Sequence, residues 1–451
     1  MPEKIALSPL NMVFVNLSHV TCTNSCDSLE LEGEPDRGLL RQALNACASR
    51  RLAMRSRVKR FFLRFMLVET DAAPEVPLQV IARPGEGTLD ALLPDMLAQV
   101  WSRPLDLAHA PPLRAVLWVC AGRSFLQLIC SHVWSDAQAG YQLTRDLADT
   151  YQALAAARTC PPGPELGVAA APPSAGLRWW QRLRYLASAA CEIAGDMLHQ
   201  DLLWPVKPVP RGPTGMDKRA MPDAWLQRLK LAAKAQGASV HALLLTALVR
   251  ASADAAGRAG VFRYTDSYSL RPAYGAGSER LYDALMVPYN LRLDSRRSDR
   301  QLLADIADRI SGLRAGGVMV DYYRQVIFDV CSRFLPRRLA TLWAGRAIAK
   351  SNILISNPGP IPFALDSFGP HRVADYFSYP QLFPPGRALL LFSTFRNVPR
   401  LIVMFDTHAF PEGIEQGLIA PYLRQLDRLL DRLGSHALPT MRSGAMAMDA
   451  V

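Results

Sequence analysis

At 451 residues the chain is too long for one ordinary hydrophobic core and suits two lobes of roughly 150–200 residues each. An apolar fraction of 50% with 20% charged residues excludes a disordered or fibrous chain, and no uninterrupted apolar run approaches the ~20 residues of a membrane span. The net charge of +11, carried mostly by arginine, attracts anionic partners. With no CxxC…HxxxH spacing, no RNP-type aromatic motif and no recognition-helix pattern, nucleic acid is not the expected one.

The opening "MPEKIALSPLNMVFVNLSHV" lacks the apolar core of a signal peptide, which predicts a cytoplasmic protein whose eight cysteines are reduced. Cys22 and Cys26 lie four apart, but no second Cys or His pair completes a zinc set, so no metal is expected. "RGLLRQALNACASR" (37–50) has helical spacing. The basic run "RRLAMRSRVKRFFLR" (50–64) reads as a helix end entering a strand, with Met54, Val58 and Phe62 turned inward and a solvated cationic face. "AVLWVCAG" (115–122) and "FLQLICS" (125–131) are strand-like, and a helix follows Asp136.

Proline and glycine in "CPPGPELGVAAAPPSAG" (160–176) and "WPVKPVPRGPTG" (204–215) mark two linkers around a bridging helix. That helix carries Trp179, Leu183, Leu186, Ala190, Ile193 and Met197 on one stripe, with Arg178, Arg182 and Arg184 off it. An apolar stripe normally packs into a core; tryptophan beside arginine also suits peripheral membrane contact through 178–204. Beyond lie a helix stopped by Gly237, a helix capped by Ser239 and ended by Gly257, and the strand "VFRYTDSYSLRP". A strand ending in a proline turn (351–362), a hairpin around Asn397 (388–406) and a last helix (411–434) complete the order. The divisions are an N-terminal lobe (1–160), linkers and bridging helix (161–215), a C-terminal lobe (216–435) and a flexible tail (436–451). Both lobes mix helix and strand, an α/β pattern.

The stretch "FLQLICSHVWSDAQAG" (125–140) delivers His132 to the loop after a strand, with Asp136 at the start of a helix. An imidazole titrates near working pH and can hold a proton between two transfers, as a general base must. Spacing alone does not establish a site, because "HRVAD" places a second HxxxD at His371 and Asp375. For Asp136, an N-cap worth about 1 kcal/mol is the structural alternative.

The run "RPLDLAHAPPLRAVLW…FLQLICSHVWSDAQAGYQLTRDLADTYQAL" closely resembles the acyltransferase superfamily of nonribosomal peptide condensation domains, wax-ester synthases and chloramphenicol acetyltransferase. There a PFDL-like segment leads to a strand, an HHxxxDG motif and a helix. "LRQALNACASRRLAMRSRV", "LKLAAKAQGASVHALLLTALVRA" and "SYSLRP" are similar to further segments in the same order, and "SNPGPIP" and "LLLFSTFRNVPRLIVMFD" look like the cross-lobe strand and closing hairpin. The resemblance covers about residues 35–435. It implies two chloramphenicol-acetyltransferase-like α/β sandwich lobes with an active-site tunnel between them. Ser131 stands where the motif's first histidine would be, and Ala137 where its glycine would be.

Carried over, the resemblance implies catalysis by His132 with Asp136, an ion pair from Asp136 to Arg271 across the lobes, and an oxyanion or tunnel role for Ser356, Asn357, Ser393 or Thr394. The reaction implied moves an acyl group from a thioester to a hydroxyl or amine without an acyl-enzyme, in secondary metabolism or lipid modification. Its co-substrate is an acyl-CoA or the phosphopantetheinyl thioester of an acyl or peptidyl carrier protein, with no permanently bound cofactor. Cys130 shares a strand face with His132 and reads as core rather than nucleophile. His199, His241 and His408 read as surface or cap residues. The competing expectation is a non-catalytic module of the same fold, with Ser131 and Ala137 as signs of a degenerate motif.

Overall fold

A computed structural model describes residues 4–433 apart from 19–20, 63, 86, 158–162, 337–338 and 340–350. The tail expected at 436–451 lies outside the described residues. Two six-stranded sheets form the cores of two α/β lobes. The first runs Ser367–Phe368, His371–Pro380, Asn24–Glu32, Arg123–Ser131, Leu113–Cys120, Leu78–Ala82. The second runs Met286–Asp294, Val261–Ser269, Ile353–Pro360, Ala388–Phe395, Val398–Asp406, Thr214–Ala220. Lys4–Ala6, Arg64–Glu69 and Ser56–Phe61 make a small third sheet.

Strand Arg123–Ser131 is buried from Ser124 onward, which explains why it reads as a continuous apolar run: both faces are covered. Helices Arg37–Ser49 and Ala137–Ala155 pack together beside this sheet; Val240–Ala256 and Ala420–Arg432 pair in the other lobe. The Val240–Ala256 helix has the predicted ends, with Ser239 Oγ accepting the Ala242 N–H at 3.1 Å and Gly257 left-handed at φ 63°. Between the lobes, Trp118, Ile129 and Phe377 of the first sheet meet Leu389, Ile402 and Met404 of the second in one apolar cluster.

Four expectations change. The strand that crosses lobes is His371–Pro380, which pairs antiparallel with Asn24–Glu32; the expected one, at 351–362, is held inside the second sheet by parallel partners on both sides. Phe62 is 89% exposed while Met54 and Val58 are buried, because Phe62 sits at the hairpin turn with φ 53° and no longer follows strand alternation. In the bridging helix Trp179–Leu198 the apolar stripe faces out, Trp179, Leu183 and Met197 being 73%, 55% and 74% exposed. Tyr185 and Ala189 face inward there, and Arg324 of helix Val318–Phe334 binds Glu192 (3.1 Å) and Asp196 (2.6 Å). Finally, His241 is largely buried, its Nε2 2.7 Å from Asp266 Oδ2.

Candidate active site

His132 lies one residue past the end of strand Arg123–Ser131, where its backbone N–H donates to the Thr23 carbonyl at 2.7 Å and extends the pairing of that strand with Asn24–Glu32. Only 7% of the residue is exposed. Its ring stacks on Phe14 at 4.7 Å between centroids, with Phe383 at 5.9 Å on a tilted plane. Burial pulls the imidazole below its ordinary pKa of 6.5; the Asp136 charge and the nearby backbone of His132 and Ser135 oppose this without overcoming it. Burial thus favours the neutral ring. Nδ1 is buried with no partner in hydrogen-bonding geometry among the described residues.

Asp136 is a cap and a tie between lobes. Its Oδ1 accepts the Ala139 N–H at 2.8 Å at the start of helix Ala137–Ala155, and also Arg271 Nη2 at 2.9 Å. Oδ2 accepts the Leu285 N–H at 3.1 Å. Arg271 follows strand Val261–Ser269 of the other lobe, and its Nη1 donates to the Ser278 carbonyl at 3.0 Å. Three donors from two lobes thus converge on the carboxylate, which fixes the loop that carries His132.

The loop between His132 and Asp136 is pinned from below. Asn11 Nδ2, in helix Pro9–Leu17, donates to the Val133 carbonyl at 2.7 Å and to Asp283 Oδ1 at 3.0 Å. Asp283 also accepts the Ala169 and Ala284 N–H groups, yet burial still raises its carboxyl to about 6. Asp27 is likewise raised to about 6 by burial, and takes the Tyr376 hydroxyl from the crossing strand at 2.5 Å. Ser131 Oγ accepts the Val133 N–H at 3.3 Å inside the loop. Gly140 answers to Asp27: a β-carbon there would lie 2.4 Å from the Asp27 carboxylate, so the helix can approach only with glycine.

His132 lines two cavities. One, of about 570 Å³, is hydroxyl-rich, with Ser25, Ser135, Ser269 and Ser378 in its wall beside Asp136 and Arg271. The other, of about 90 Å³, is walled largely by Phe14, Leu354, Ile355, Phe383 and Leu389. Ser267, Met286, Ser356 and Pro380 join His132 in lining both, which puts the imidazole at their meeting point.

Of the residues singled out in the sequence, His132, Asp136, Arg271, Ser356 and Asn357 all border the larger cavity. Ser393 and Thr394 do not: they pair with Gly359 and Pro360 one strand further in and are absent from the lining of both cavities. The second HxxxD is not a cavity site either, since His371 Nδ1 meets the Glu32 carbonyl and Asp375 is held by Lys218 and Arg400. Cys130 is fully buried, its thiol raised by burial and 3.7 Å from the Tyr282 hydroxyl. Among the described residues no cluster of three His, Cys, Asp or Glu side chains is placed to hold a metal ion. Asn11, Phe14, Asp27 and Phe383 were missed. A lone asparagine inside the apolar run "PLNMVFVNL" was the one available signal, since a buried amide must find partners.

No protein-family model and no curated protein sequence matches the chain. Solved structures do. The first condensation domain of the calcium-dependent antibiotic synthetase, in complex with a substrate analogue, is 17% identical with a TM-score of 0.72, covering 96% of this chain and 97% of that one. The starter condensation domain of rhizomide synthetase in complex with C8-CoA is 14% identical with a TM-score of 0.69, at 95% coverage of both chains. The epimerization domain from the third module of tyrocidine synthetase B is 17% identical with a TM-score of 0.69, covering 96% and 97%. Over nearly its whole length, this chain has the two-lobed α/β fold of the condensation domains.

Proposed function

We propose that the protein is an acyltransferase that moves an acyl group from the thioester of CoA or of a carrier protein to a hydroxyl or amine, with His132 as general base. The observation that carries this reading is a buried imidazole, its neutral form favoured by that burial, at the meeting point of two chemically different cavities. With the proton on Nδ1, beside the backbone of His132 and Ser135, the Nε2 lone pair is free to accept the proton of the attacking hydroxyl or amine. The new acyl–oxygen or acyl–nitrogen bond forms as the carbonyl becomes an oxyanion; collapse breaks the carbon–sulfur bond, and Nε2 returns the proton to the departing thiolate. Ser356 and Asn357 border the larger cavity and are the donors assigned to the oxyanion. Arg271 and Asp136 hold the loop that fixes the ring.

The test is free-thiol release from acyl-CoAs and from an acylated carrier protein, with alcohol and amine acceptors, for the wild type, His132→Ala and His371→Ala. Removing a general base costs on the order of 10²–10⁴-fold, so loss confined to His132→Ala is expected. Equal release by the wild type and His132→Ala, or none from any donor, favours the alternative, a binding module of the same fold.

A further inference from the structure

The two cavities differ in kind, and this difference assigns the acyl group. We propose that the smaller cavity is the acyl-binding site and that it favours a short transferred chain, with the Phe383 ring as the wall that sets its room. This rests on the acyl-transfer reading above. A polar acceptor or a pantetheine arm finds hydroxyls in the larger cavity, whereas the smaller offers Phe14, Leu354, Ile355, Phe383 and Leu389. Apolar surface removed from water favours an alkyl chain there by about 25 cal/mol per Å².

The polar residues of the smaller cavity do not contradict this assignment. Thr265 Oγ1 is bound to Asn290 at 3.0 Å, and the Asp266 carboxylate accepts from the Ser267 N–H, His241 and the Tyr289 hydroxyl. Ser267 and Ser356 belong to both cavities and so stand where the thioester itself must lie, beside His132. Gln381 is the exception, with a buried side-chain oxygen that has no hydrogen-bond partner among the described residues.

Volume sets the limit. An apolar cavity of about 150 Å³ takes the six carbons of benzene, so about 90 Å³ takes about four. That room favours acetyl to butyryl groups over octanoyl. Phe383 is 5% exposed and packs against both Phe14, at 5.5 Å, and the His132 ring, so its size fixes how much room remains beside the imidazole.

The experiment measures binding and turnover separately. Binding uses pantetheine analogues in which a methylene replaces the thioester sulfur, carrying acyl chains of about two, four, eight and twelve carbons; turnover uses the matching CoA thioesters. In the wild type the affinity is expected to rise to the four-carbon analogue and fall roughly tenfold or more by eight. Phe383→Ala is expected to restore the eight-carbon analogue, and Phe383→Trp to weaken the four-carbon one while sparing acetyl. Opposite shifts from the two variants cannot both come from misfolding. An affinity that is flat, or still rising at eight carbons, in the wild type overturns the proposal, as does an unchanged profile in both variants. Turnover, measured with acylated carrier proteins of the same chain lengths as well as the CoA thioesters, decides the other question: chain-length-selective binding with no thiol release from either donor would sink the acyl-transfer reading and leave the short-chain site standing.

Discussion

At the scale of single residues, the pKa of His132 decides how the protein should respond to pH. Burial is the largest influence on the ring and lowers its pKa, so the neutral base persists into mildly acidic solution. The expected acid limb of kcat/KM lies below pH 6.5, where an exposed imidazole would already be half protonated. A rate profile for the wild type whose acid limb falls above pH 6.5 would contradict this. His132 and Asp136 were legible in the sequence because a strand that ends in histidine and a helix that begins with aspartate are local patterns. Phe14 and Phe383 were not legible, since nothing local distinguishes a phenyl ring that packs on the His132 imidazole from one that merely fills a core. The charged tie to Arg271 came from resemblance; the structure brings the two groups to 2.9 Å across 135 positions of sequence.

At the scale of elements, that tie is what fastens the loop between His132 and Asp136 to the opposite lobe. Arg271 and Asp136 are 15% and 9% exposed, so removing the guanidinium leaves a mostly buried carboxylate without its charge partner. Arg271→Met is expected to destabilise the protein by about 3 kcal/mol, at the low end for a broken buried pair because Asp136 keeps two backbone donors. Urea denaturation measures this, and a loss below about 0.5 kcal/mol would mean that the pair is of the weak surface kind. The helices were read well where caps announced them, as at Ser239 and Gly257. The bridging helix was read inside out because an apolar stripe predicts burial only when no stronger partner competes. Here the two carboxylates Glu192 and Asp196 answer the buried Arg324, and the helix turns that face inward. Likewise, the crossing strand could not be chosen from composition, because 351–362 and 371–380 both read as strands and only pairing separates them.

At the scale of the whole molecule, several buried groups hold protons more tightly folded than unfolded. Burial raises Asp27 and Asp283 to about 6 and Asp321 to about 7, each from 3.8. His241 also ends above 6.5: burial alone would lower it, but the Asp266 carboxylate outweighs that. A raised folded pKa contributes stability that is complete below the unfolded value and is lost as pH rises through the folded one. For the three aspartates that loss begins above pH 3.8 and is complete only by about pH 6 to pH 7, so part of it falls above pH 5, and for His241 it lies above pH 6.5. His132 opposes them, its depressed pKa costing stability as pH falls below 6.5. Burial raises Glu30, Asp329 and Asp427 as well, so the groups that favour acid outnumber His132 and predict a higher urea midpoint at pH 5 than at pH 8, and a smaller difference in Asp27→Asn. A midpoint higher at pH 8 would show that these carboxyls stay ionised in the fold.

The crossing strand also sets an order of events during synthesis. Asn24–Glu32 and Arg123–Ser131 leave the ribosome early, but the partner that covers the free side of Asn24–Glu32 emerges about 240 residues after Ser131. At about 5–20 residues per second the edge stays open for roughly 10–50 s. An uncovered edge is a template for pairing with other chains, so the growing chain has to be shielded by a chaperone, or its synthesis has to outrun aggregation, before the first lobe can close.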